Sequence, residues 1–304
     1  MDNKMKPTLL AVTLTAFASG CATSQEANMD NLRYLASFNT KTSFCFSRVN
    51  GIDTANNAMT ESGTISTGFN VTGILENGTN TLTTLMAPLG VPDDLNLQAN
   101  SNCELVISAN TPDKAMKLVS VVTSPDEKLQ PTGVNTPIYN GNNHVGPVSE
   151  GYVTDSFLYE VTRTFEAKGI PEWKWTTATS FSDTEEQIQS LQDKYLDLWL
   201  MMKNKDAVAL KKEATISSEE QGQTEGMSGD DFWETIGIED ELASSMSVVN
   251  IDWGNYEVKT YNKGRLVRFE DENGDSPLRL EDDDFYFSYN PYFSLLEGKW
   301  VLTR

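Results

Sequence analysis

The chain has 304 residues, 38% of them hydrophobic, 10% aromatic and 22% charged; that is enough apolar material for one large core or two ordinary ones, and it excludes wholesale disorder. Lys and Arg number 23 against 44 Asp and Glu, a net charge of -21, which repels phosphate backbones and excludes nucleic acid as a natural partner. A single histidine, His144, excludes mechanisms that need two imidazoles.

The first residues read as an export signal. Lys4 and Lys6 form a basic start and residues 9–18 an apolar run, about half as long as a bilayer-spanning helix. Ala18-Ser19-Gly20-Cys21 follows. Small residues ending at a cysteine resemble the lipobox of bacterial lipoproteins, with Ala18 where leucine is usual. The resemblance implies cleavage before Cys21, a diacylglycerol thioether on its sulfur and an acylated new N-terminus. Ala22, where aspartate would retain the protein at the inner membrane, implies the outer one, with outer-membrane lipid as the first partner. The alternative is an ordinary signal peptide cut near Gly20 with Cys21 incidental. Residues 1–20 are thus read as the signal peptide and 21–29 as a polar tether.

Setting Cys21 aside leaves Cys45 and Cys103, an even pair in an oxidising compartment, expected as a disulfide. No C-x-x-C or H-x-x-x-H spacing supports zinc. Residues 30–180 are rich in Thr, Ser, Asn and Gly, with alternating runs at 42–49, 81–87, 103–109 and 116–122. Turn signals such as Asn77-Gly78 and Asn140-Gly141-Asn142-Asn143 separate them, and His144 follows in the same turn context. Short strands with frequent turns predict an antiparallel β-sandwich or jelly roll, with the cysteines stapling two strands.

Composition changes near residue 180: residues 181–304 hold 27 acidic and 12 basic side chains. Ser182 and Glu185 fit a capping box, after which Ile188, Leu191, Tyr195, Leu198, Trp199 and Met202 recur at helical spacing. A further helical turn is expected over 206–212, a mobile polar loop over 217–229 and another helix over 230–246. Strands are expected at 256–261, 266–269, 278–280, 285–289, 292–296 and 300–302, the last two joined through Glu297-Gly298-Lys299. Helices followed by a strand meander predict an α+β domain over 181–304. Its element order resembles the NTF2-like fold, which implies helices packed on a curved antiparallel sheet with a pocket between them.

No nucleophile elbow, phosphate loop, dinucleotide fingerprint or H-E-x-x-H motif occurs. Asp271, Asn273, Asp275 and Asp282 match ligand positions of a Ca²⁺-binding EF-hand loop, but the glycine is Gly274, at position four instead of six. Asn273-Gly274 is also a hairpin turn in its own right, which is the favoured reading, and no cofactor is expected. Trp173 and Trp175, two apart, would share one face of a strand, either as an interdomain contact or as exposed indoles that stack on a ligand. The chain is therefore expected to be an outer-membrane lipoprotein serving as a non-enzymatic binding or accessory module for an envelope protein or glycan. The rival expectations are a carboxylate-dependent hydrolase of saccharides and a structural subunit of an envelope complex.

Overall fold

The computed structural model describes residues 32–137 and 144–304. Cys21, the signal and tether segments and the turn at 140–143 lie outside the described residues.

The first part folds as ten strands: β1 (Arg33–Lys41), β2 (Phe44–Val49), β3 (Ile52–Asn56), β4 (Ser66–Asn70), β5 (Gly78–Ala87), β6 (Asn102–Thr111), β7 (Lys114–Pro125), β8 (Pro131–Thr132), β9 (His144–Tyr152) and β10 (Tyr159–Ala167). They form two five-stranded antiparallel sheets, in the orders β4-β1-β6-β7-β8 and β3-β2-β5-β10-β9. Strict alternation decides the inner face: along β1, Tyr34, Ala36, Phe38 and Thr40 are buried while their neighbours are more exposed. Phe38, Leu82, Leu105, Val121 and Phe165 meet between the sheets. Cys45 on β2 and Cys103 on β6 form a disulfide from one sheet to the other, with Cα atoms 5.8 Å apart. The sandwich and its staple are as the residue pattern predicts. His144 opens β9 instead of sitting in a turn.

The second part begins with five helices: α1 (Glu185–Lys203), α2 (Ala207–Glu213), α3 (Thr215–Glu225), α4 (Gly229–Ile236) and α5 (Ile238–Ala243). Strands β11 (Ser247–Val248), β12 (Glu257–Tyr261), β13 (Leu266–Glu270), β14 (Leu278–Glu281), β15 (Tyr286–Tyr289), β16 (Phe293–Leu296) and β17 (Lys299–Leu302) follow. These strands divide into a four-stranded sheet, β12-β13-β16-β17, and a three-stranded sheet, β11-β14-β15. The apolar stripe of α1 buries Leu191, Tyr195, Leu198 and Met202. Tyr195 packs on Phe269 and Phe293 at ring distances of 5.5 and 4.9 Å, and its hydroxyl accepts from the Phe269 N–H at 3.1 Å. The result is the predicted α+β layer.

Four local expectations are corrected. Thr184, not Ser182, caps α1: its hydroxyl accepts from the Gln187 N–H, while the Ser182 N–H donates to the Gln187 side chain. The expected loop at 217–229 is mostly helix, because α3 buries a stripe of Ser217, Ser218, Gly222 and Thr224 that hydrophobic periodicity does not register. The helix over 230–246 is two helices, broken at Gly237, whose φ of +75° is left-handed. The turn at Asn273-Gly274 is not a hairpin: it joins β13 in one sheet to β14 in the other. The β16–β17 hairpin is present, with Glu297 and Gly298 both at positive φ, as a tight two-residue turn requires.

Candidate functional site

The two parts meet along a seam centred on Trp173 and Trp175. Both lie where the chain leaves the sandwich, around a short 3-10 turn at Lys174–Thr177. They are 2% and 0% exposed. Their Nε1–H groups donate to the successive carbonyls of Thr72 and Gly73, each at 3.1 Å. Arg304 stacks over the Trp173 ring at 5.1 Å and Arg265 over Trp175 at 5.2 Å. Exposed ligand-stacking indoles are thus excluded at these positions: the turn aims both rings inward and every polar edge is used. The tryptophans fasten the sandwich to the α+β part.

Charged groups reinforce the seam. Glu76 accepts from Lys263 Nζ and Arg265 Nη2, both at 2.6 Å. Arg304 donates from Nε to the Gly73 carbonyl at 2.7 Å and from Nη1 to Glu220 at 2.6 Å. Glu220 also accepts from the Lys174 N–H at 2.7 Å. Asn70 Nδ2 donates to the Thr224 carbonyl at 2.8 Å, and Leu266, Tyr261 and Tyr292 pack into the sandwich core. Burial lowers the Arg304 guanidinium to about 10 against the opposing pull of Glu220.

Burial pushes the Glu76 carboxyl up, but the hydrogen bonds and charges of Arg265 and Lys263 prevail and hold it below the usual carboxylate range. A depressed folded-state pKa contributes stability that is fully present above the unfolded value, about 4.3, and is lost as pH falls through the folded one. Glu76→Gln is therefore expected to flatten the acid limb of the stability curve below about pH 4.3, with urea midpoints across pH 2–6 as the check.

A groove of about 320 Å³ opens beside the seam. Phe232 and Ile236 of α4, Phe287 and Tyr292 of the strand region, and Ile74 of the sandwich line it, together with Arg304. The first five are half-buried. Arg304 Nη2 is buried and has no hydrogen-bond partner. The α3–α4 wall depends on a close approach at Gly222: a Cβ there would lie 2.7 Å from the Ser228 carbonyl oxygen and 2.9 Å from its carbon. Gly222→Ala is expected to cost about 1–3 kcal/mol, because backbone must move to admit the methyl; thermal melting checks it.

A second cavity, about 300 Å³, lies between Leu32, Arg33, Thr72, Gln223 and a buried edge of Trp173. A third, about 470 Å³, is acidic, with Asp53, Glu257, Glu270, Asp271 and Glu272 facing Lys259. At its rim the Tyr261 hydroxyl donates to Glu270 at 2.5 Å, and Arg268 pairs with the same carboxylate while stacking on Tyr292 at 4.4 Å. Burial and then the Glu270 contact push the Tyr261 phenol up; burial raises Tyr292 to about 12.

The four EF-hand positions do not form a ligand set. Asp271 Oδ1 accepts from the N–H groups of Asn273 and Asp275, and its Oδ2 faces Arg279 at 3.6 Å. Asp282 caps a separate turn, accepting from the N–H groups of Asp284 and Phe285. Among the described residues no group of three or more His, Cys, Asp or Glu side chains is arranged to hold a metal ion. The fold uses these carboxylates to close turns, which explains their spacing without a cation.

Sequence reasoning missed Arg304, Glu220, Glu76 and Arg265, whose ion pairs join residues 84 to 189 apart in the chain. Of the groove it gave only a pocket expected between helices and sheet, not the lining, which comes from five separate segments. No family model matches the chain, and no curated protein or solved structure is similar to it.

Proposed function

We propose that the chain is a bacterial outer-membrane lipoprotein, anchored by diacylglycerol on Cys21, that serves as a non-enzymatic binding or accessory module of the cell envelope. The observation that carries the binding reading is the seam groove. Half-buried aromatic and aliphatic side chains surround a concave space beside a rigid junction, the usual composition of a recognition site. The junction is tied by buried tryptophans, two carboxylates and three basic side chains, so the groove is presented in one fixed shape. The lipobox-type residues at 18–21 support the anchor and its compartment.

General acid catalysis by a carboxyl needs a group that keeps its proton near neutral pH. Among the described residues the carboxyls moved clearly from their ordinary values, Glu76, Glu257 and Asp282, all move downward, so none of these three suits the role of general acid.

The test is photo-crosslinking in living cells from a benzophenone side chain at Ile236, in chains with Cys21 and with Cys21→Ser. The expected result is a discrete adduct that disappears when Cys21→Ser releases the protein from the membrane. Equal adducts with both, and both still in the membrane fraction, would contradict the anchor. Saccharide turnover lost on removal of one carboxylate, with melting unchanged, would establish the hydrolase instead.

A further inference from the structure

The end of the β14–β15 connection and the first residue of β15 carry the two most exposed aromatic side chains among the described residues, Phe285 at 70% and Tyr286 at 62%. β15 is terminal in its sheet and pairs only with β14, from Leu278↔Tyr289 to Glu281↔Tyr286. Among the described residues its other edge is therefore free of a partner strand, and residues 287–289 continue directly into the wall of the groove. An open, aromatic edge strand invites another strand, and proteins keep such edges covered or guarded. Here the guard is the acidic run at 281–284. Two copies of this edge laid side by side would bring eight carboxylates together, which disfavours self-pairing.

The polar side chains of the groove are already engaged with one another. Gln221 donates to Ser217 at 3.0 Å, and the Asn290 side-chain carbonyl accepts from the Ser276 N–H at 2.7 Å and the Ser288 hydroxyl at 3.0 Å. A saccharide, which needs several free hydrogen-bonding side chains, finds few there. An added strand needs a main-chain edge and a pocket for alternate side chains, and both are present. Arg304 Nη2, buried and without a hydrogen-bond partner among the described residues, is a donor left over. Because Glu220 already neutralises that guanidinium, its complement is an uncharged oxygen.

We propose that β15 is the docking edge for an extended, apolar, non-acidic polypeptide segment of a partner protein. The segment lies as a further strand beside β15, seats one apolar side chain between Phe232, Ile236 and Phe287, and offers a main-chain carbonyl to Arg304 Nη2. This rests on the binding-module reading and narrows its partner to a polypeptide.

The probe is a random dodecapeptide library displayed on phage, selected on the intact protein, with the consensus peptide then synthesised. The expected consensus alternates apolar residues and lacks Asp and Glu. Binding is expected to slow hydrogen exchange of the Tyr286 and Ser288 amides, which face away from β14, by at least about tenfold. Ile236→Lys is expected to weaken the peptide by about tenfold or more, since a buried apolar contact is replaced by a charge, with the melting temperature as a control for folding. Arg304→Met is unsuited as the main variant because it also breaks the seam; the exchange footprint on the wild-type chain decides without it. No consensus, a footprint away from β15, or protection of β15 by a peptidoglycan fragment instead of a peptide would each overturn the proposal. If peptides fail while the Ile236 crosslink still forms in cells, the strand assignment falls and the binding reading stands; if both fail, both fall.

Discussion

Replacing Cys45 and Cys103 together by alanine is expected to lower stability by about 4 kcal/mol. The bridge closes a loop with a sequence separation of 58, and on the chain-entropy model the cross-link removes that much freedom from the unfolded ensemble. Its position makes the cost global. It ties β2 to β6 across the sandwich, and the Asn57 side chain, buried beside it, accepts from the Cys45 N–H at 2.8 Å and donates to the carbonyls of Ser43 and Gly63. Both sheets therefore lose their common reference at one end when the sulfurs part. Urea unfolding of the oxidised protein and of the double variant measures the effect; a loss below about 1 kcal/mol would show that packing alone sets the intersheet register.

Trp175→Ala is expected to be as damaging, at about 3–5 kcal/mol, the usual cost of removing a fully buried indole. It also removes one of the two donors to the Gly73 carbonyl, leaving Arg304 Nε, and takes away the ring under Arg265. Trp173→Ala does the same to Thr72 and Arg304. Both rings belong to the sandwich core and carry Arg265 and Arg304 of the α+β part on their faces, so the changes loosen core and junction together and calorimetry has a specific signature to find. The wild-type chain is expected to melt in one transition and the tryptophan variants in two, as sandwich and α+β part separate. Phe285→Ala, at a 70% exposed position, is the control and should stay within about 0.5 kcal/mol.

Much of this fold is legible in the residues. Alternation along β1, the even cysteine pair and the stripe from Leu191 to Met202 each reflect a local rule that the packing obeys. The exceptions have physical causes. Helix α3 buries Ser217, Ser218, Gly222 and Thr224, and at Gly222 its neighbour approaches too closely for any side chain, so polar composition and burial coincide. The tryptophan pair reads as a strand face but sits around a 3-10 turn whose carbonyl partners are about a hundred residues away. The acidic turns read as ligand loops because Asp at such positions accepts N–H groups from residues two to four later, whether or not a cation is bound.

The groove was legible only as a pocket between helices and sheet, without its lining residues. Its walls come from the sandwich turn at Thr72–Ile74, from α3 and α4, and from the segments around β15 and β16, and only tertiary closure makes them neighbours. Arg304 illustrates the difficulty. In sequence it is one basic residue after an apolar strand. In the structure it reaches Gly73, Glu220 and Trp173 at once.

The most direct measurement is the mass and N-terminal residue of the protein extracted from the membranes of cells that make it. A lipoprotein of the envelope begins at Cys21 and carries a diacylglycerol thioether on that sulfur, with an acyl chain on the new amino group. A chain found with an unmodified Cys21 thiol, or starting at any other residue, would contradict the anchored reading.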